Sequence, residues 1–80
     1  MSKQILKFSR VGCTPCKIMT NFLNEQGVEY KELDVEDDAQ LAVQYGISGV
    51  PTLLLVDENG DVLDRVVGFN PSAIEKLLSN

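Results

Sequence analysis

Residues 5–23 read ILKFSRVGCTPCKIMTNFL. Ile5, Leu6 and Phe8 form a short β-prone run, and from Pro15 to Gln26 the apolar residues Ile18, Met19, Phe22 and Leu23 fall on one helical face ahead of Gly27. Pro15 suits a first helical turn, where its missing N–H is no loss, and Gly27 suits the left-handed residue beyond a helix C-terminus. The order is strand, cysteine turn, helix. Cys13 and Cys16 therefore stand at a helix N-terminus, where unpaired backbone N–H groups and the helix dipole favour a thiolate near neutral pH. A second thiol one turn along resolves a mixed disulfide formed on the first, so the pair reads as a two-electron redox couple and the chain as a thiol-disulfide oxidoreductase. Cys13 is the expected nucleophile and Cys16 the less exposed resolving thiol.

Outward from this stretch, Val28, Tyr30, Leu33 and Val35 suggest a second strand, parallel to the first through the usual right-handed crossover. Asp37 or Asp38 suits the N-cap of a short helix through Ala39, Leu41, Ala42 and Tyr45, ended by Gly46. Thr52 to Val56 is a continuous apolar run suited to a sheet covered on both faces. Asn59-Gly60 is a two-residue hairpin signal leading into an antiparallel strand from Val62 to Val67. Asn70 and Pro71 read as N-cap and first position of a last helix that lays Ile74, Leu77 and Leu78 on the sheet. The expected fold is α/β, in the order β-α-β-α-β-β-α, with a four-stranded mixed sheet and three helices. The cysteines fall at the C-terminal end of the first strand, where open α/β sheets place their ligand chemistry.

Eighty residues that are 44% apolar make a single domain spanning 1–80, burying roughly 60% of the unfolded chain's surface. The two cysteines close too small a loop for their bridge to add much stability. Lys3 and Lys7 interrupt the only apolar stretch between Met1 and Phe8, which leaves no signal-peptide core, and Leu53 to Val56 is far too short to span a bilayer. The expected setting is a reducing cytoplasm, where such a pair is catalytic or metal-binding rather than structural. The net charge of -5, with acids gathered at Glu29, Glu32, Asp34, Glu36, Asp37 and Asp38, argues against nucleic-acid binding. The acidic stretch is read as a solvated strand end and helix start rather than a docking surface. Arg10 and Lys17 flank the cysteines, where they would help hold a thiolate and attract an acidic partner, or are incidental surface cations beside a loop.

Three motifs give the chain a resemblance to the thioredoxin superfamily over nearly its whole length. Cys13-Thr14-Pro15-Cys16-Lys17 is similar to the thioredoxin active site, with Thr14 and Pro15 tuning the couple. Gly49-Val50-Pro51-Thr52 is similar to the family's cis-proline segment, and Gly68 matches a small residue that lets substrate approach. The resemblance implies substrate binding at Val50, Pro51, Thr52 and Gly68, a monomer, and no cofactor beyond the cysteine pair. A cis bond at Val50-Pro51 would let the Val50 backbone pair with an extended substrate. From the residues alone, a trans proline opening a strand is equally acceptable.

The chain also departs from the pattern. It has no tryptophan, and Gly12 replaces the aromatic residue that precedes the first cysteine in thioredoxins. Six residues before Cys13, where many thioredoxins carry a buried aspartate that assists proton transfer, stands Lys7. Turned inward it would accept a proton or depress the Cys16 pKa, but the preferred reading is that it snorkels to solvent. The chain has the size of a glutaredoxin, yet Gly68-Phe69-Asn70-Pro71-Ser72 lacks the Gly-Gly turn and acids that help glutaredoxins hold glutathione. The resemblance is closest to small redoxins that thioredoxin reductase reduces and that supply electrons to ribonucleotide reductase. A glutathione-dependent glutaredoxin is the alternative. A dimer sharing a zinc ion or cluster is a weaker one, because one Cys-x-x-Cys with no histidine supplies only half of a closed site. Val11, Val50 and Phe69 are candidates for a substrate-contact surface.

Overall fold

Thr52-Leu53-Leu54-Leu55-Val56 lacks the alternation of a half-exposed strand, and in the computed structural model, which describes residues 3–80, all five of these residues are buried. They form β3, which lies inside a four-stranded sheet of order β2-β1-β3-β4. The other strands are β1 (Gln4–Ser9), β2 (Lys31–Asp34) and β4 (Val62–Val67), and the helices are α1 (Thr14–Glu25), α2 (Ala39–Gln44) and α3 (Pro71–Leu78). β1 runs parallel to β2, with Phe8 opposite Leu33, and antiparallel to β3, with Phe8 opposite Thr52. β4 pairs antiparallel with β3. Architecture and element order are those expected from the sequence.

Successive β3 side chains point to opposite faces, so each face has its own core. On one, Leu53, Leu55 and Val66 pack with Met19 and Leu23 of α1 and with Ile74 and Leu77 of α3. On the other, Leu54 and Val56 pack with Leu6, Phe8, Leu33 and Ala42 of α2. β1 sends Leu6 and Phe8 into the α2 layer and Ile5 against the other, and the cysteine turn departs from its C-terminal end. No helix among the described residues is long and apolar enough to cross a membrane. Met1 and Ser2, where the stretch read for a leader begins, lie outside the described residues.

Four local expectations are corrected. Ile18 is 46% exposed and faces outward, because α1 buries Met19 and Leu23 instead. β2 begins at Lys31, while Val28 and Tyr30 pack under the α1/α3 core before the strand starts. Asp38 is the N-cap of α2, but its carboxylate accepts from the Asp34 N–H at 3.3 Å rather than from the helix. The hairpin is longer than a two-residue loop. The Asp57 carboxylate accepts from the N–H groups of both Asn59 and Asp61 at 2.9 Å, which winds the chain into a wider turn. Only Gly60 there has a positive φ, 86°, whereas a two-residue type I′ turn would require one at Asn59 as well.

α3 begins as the sequence suggests, with Asn70 Oδ1 accepting from the Ala73 N–H at 3.2 Å. Asn70→Ala is expected to lower stability by about 1 kcal/mol, with Asn70→Asp near the parent value, as measured by urea unfolding.

Candidate active site

At the end of β1 the chain turns before it enters α1. The Cys13 N–H donates to Arg10 O at 3.3 Å across Val11 and Gly12, and Gly12 takes a φ of 80°. A side chain rarely adopts that conformation, so the turn itself accounts for glycine at the position before the first cysteine. Cys13 then serves as the N-cap of α1, and its sulfur accepts from the Cys16 N–H at 3.1 Å. The backbone donor that would stabilise a thiolate is thus aimed at Sγ. Cys13 and Cys16 are joined as a disulfide with Cα atoms 5.2 Å apart. Cys13 is half-buried and Cys16 is 3% exposed. One sulfur is approachable and the other lies behind it.

The antiparallel register of β1 and β3 brings the residues before Thr52 to the same end of the sheet. The Val50–Pro51 peptide bond is cis. Pro51 is buried, and its carbonyl accepts from the Gly68 N–H at 2.8 Å, which ties the end of β4 to this loop. A Cβ placed on Gly68 would meet nothing within 4 Å, so the surface there is open. Arg10 shares a groove of about 260 Å³ with Val35, Ile47, Ser48, Gly49 and Val50. Thr14, Pro15 and Lys17 are exposed on the first turns of α1.

Three assignments, of Thr52, Lys7 and Phe69, change on burial. Thr52, read as a substrate contact, is 1% exposed and donates its hydroxyl to Gly49 O at 2.7 Å, so it braces the loop from behind. Lys7, read as snorkelling outward, is 1% exposed and paired with Glu32 at 2.9 Å. Thr20 of α1 and Glu32 of β2 take its ammonium, so the side chain is held inside instead of reaching for solvent. Phe69 turns into the α1/α3 core, its ring edge-on to Phe22 at 5.7 Å, while Val11 is 84% exposed. Sequence reasoning passed over Val67, 61% exposed beside Gly68, and the polar residues Ser9, Thr20 and Glu32 around Lys7. Val67 follows the buried Val66 in β4, and an apolar pair at a strand end gives no local sign of which residue faces out. The other three are brought together by register, which no local pattern encodes.

A second groove, of about 480 Å³, is lined by Lys3, Gln4, Ile5, Tyr30 and Leu77 among others. It lies at the opposite end of β1 from the cysteines.

The family model for thioredoxin matches residues 1–80. The SPbeta prophage-derived thioredoxin-like protein YosR of Bacillus subtilis is 31% identical over 75 residues, covering 94% of each chain. A thioredoxin of Staphylococcus aureus is 34% identical over 74 residues, which cover 85% of this chain and 70% of that protein. Among solved structures, the thioredoxin Mala s 13 of Malassezia sympodialis superposes with a TM-score of 0.83 at 26% identity, covering 96% of this chain and 72% of that one.

Proposed function

This chain belongs to the thioredoxin family, and from that premise we propose that it reduces protein disulfides through the Cys13–Cys16 dithiol. The observation that carries the reading is the inequality of the two sulfurs. Cys13 is half-buried at a helix N-terminus and takes an N–H from Cys16, whereas Cys16 is 3% exposed. In the reduced protein the Cys13 thiolate attacks one sulfur of a substrate disulfide, and the other substrate sulfur leaves with the electron pair and takes up a proton. Cys16 then gives up its proton and attacks Cys13 Sγ. The bond between Cys13 and the substrate breaks, and the second substrate sulfur departs and is protonated. Two electrons and two protons have passed to the substrate.

The main chain at Val50 offers an extended substrate a strand to pair with, and the open surface at Gly68 leaves room for it. Arg10 and Lys17 favour the Cys13 thiolate and acidic partners. The working form is a monomer in a reducing cytoplasm, with no cofactor beyond the cysteine pair and no metal. As reductant, thioredoxin reductase is preferred over glutathione. Phe69 is packed inward and Asn70 already occupies an N–H at the start of α3, so that turn presents no ready seat for a glutathione carboxylate. Ribonucleotide reductase is a client of the right kind.

The test is the rate at which the oxidised protein is reduced by NADPH with thioredoxin reductase, set against glutathione at physiological concentration. Fast reduction by the enzyme alone supports the reading, and preference for glutathione replaces it with a glutaredoxin.

A further inference from the structure

Lys7 is 1% exposed and takes no part in the exchange described above. Its ammonium donates to Thr20 Oγ1 at 2.7 Å and to the two Glu32 oxygens at 3.2 and 2.9 Å. The Thr20 hydroxyl in turn donates to Cys16 O at 3.1 Å. Two hydrogen bonds therefore separate the ammonium from the main chain of the buried cysteine. Glu32 sits opposite Lys7 on the edge strand β2, is 48% exposed, and also accepts from the Ser9 hydroxyl.

The two halves of this ion pair feel different media. Water screens much of the field of the half-exposed carboxylate, whereas the ammonium acts through protein interior, where a charge is felt several times more strongly. Among the described residues, those around Lys7 pair it with no second anion. β3 presents Leu53 opposite it, and α3 contributes Ile74 and Leu77 to the core on this face. α1 contributes Thr20 and Cys16, with Lys17 exposed, and Tyr30 places its ring centroid 6.0 Å from Nζ. Among the described residues Glu32 is the only acid paired with Lys7.

We propose that Lys7 is a positioning residue for the resolving step: its buried ammonium favours the thiolate of Cys16, so that a sulfur shielded from water attacks the mixed disulfide as an anion at neutral pH. The inference rests on the dithiol exchange proposed above. Lys7 makes and breaks no bond. The Cys16 proton leaves, Cys16 Sγ bonds to Cys13 Sγ, and the substrate sulfur departs with its electron pair and is protonated. The nearby cation lowers the free energy of the anion that this sequence requires.

The charge argument gives the two partners opposite signs. In a Cys13→Ser background Cys16 is the only thiol, and its ionisation is followed by the NMR shift of its isotope-labelled Cβ. Adding Lys7→Met is expected to raise that titration by about one pH unit, and adding Glu32→Gln to lower it. In the two-cysteine protein, Lys7→Met is expected to resolve a preformed mixed disulfide about tenfold more slowly at neutral pH and to catch up as the pH rises. A merely structural lysine would not produce opposite shifts or recovery with pH. Unmoved titrations, or shifts of the same sign, overturn the proposal. If Lys7→Met fails to fold, Glu32→Gln decides alone: a downward shift supports the proposal, and an unmoved or raised titration overturns it. Failure of the parent protein to form a mixed disulfide at all would strike the exchange reading instead, and the titrations would still judge Lys7.

Discussion

Cys13→Ser is expected to reduce disulfide exchange to the uncatalysed rate, whereas Cys16→Ser stops it one step later, with substrate held on Cys13. The asymmetry follows from position. Cys13 is the half-buried N-cap whose sulfur takes a backbone N–H, so loss of its thiol removes the nucleophile, and a serine hydroxyl there is not ionised near neutral pH. Cys16 is 3% exposed and meets substrate only through Cys13. Without it the mixed disulfide has no internal thiol to release it, and it accumulates for as long as outside thiols are scarce. Incubation with a protein disulfide, acid quenching and intact-mass analysis distinguish the two outcomes. A trapped adduct on Cys13→Ser, or full turnover by it, would reverse the assignment of the nucleophile.

Phe8→Ala is expected to remove about 3–5 kcal/mol of folding stability. The ring is fully buried among Leu6, Leu33, Ala42, Leu54 and Val56, and its centroid lies 6.1 Å from that of Tyr45. Its β1 neighbours are hydrogen-bonded on both sides, to β2 and to β3, so the backbone has little freedom to collapse into the void. Domains of this kind are stable by about 5–15 kcal/mol, and a small one lies toward the lower end. Such a loss would leave a marginal fold. Urea unfolding of Phe8→Ala beside Phe8→Leu measures it, and a difference from the parent below about 1 kcal/mol would mean that the α2 face is not a packed core.

The elements were legible wherever local chemistry decides them. Pro15 and Gly27 bracket α1, Asn70 and Pro71 open α3, and the unbroken apolar run of β3 marks a strand covered on both sides. Legibility failed where a side chain outcompeted the backbone signal. Asp57 rewrote the Asn59-Gly60 turn by accepting two N–H groups, and Ile18 sits at the margin of a helical stripe that tertiary packing filled with Met19 and Leu23. It failed again where the outcome depends on register. Lys7 and Glu32 are 25 residues apart in sequence, and only the parallel pairing of β1 and β2 makes them neighbours. The cysteine pair was plain in the sequence because its spacing is itself the chemistry. The polar support beneath it was not, because three different elements supply it.

The most direct test of the central claim, that the Cys13–Cys16 pair works as a reductant, is its reduction potential, measured by equilibrating the protein with dithiol redox buffers and trapping free thiols with an alkylating reagent. A value between roughly -270 and -200 mV, nearer the reducing end, is the predicted result. A value near about -120 mV would contradict it, because a couple with that potential oxidises dithiols instead of reducing disulfides.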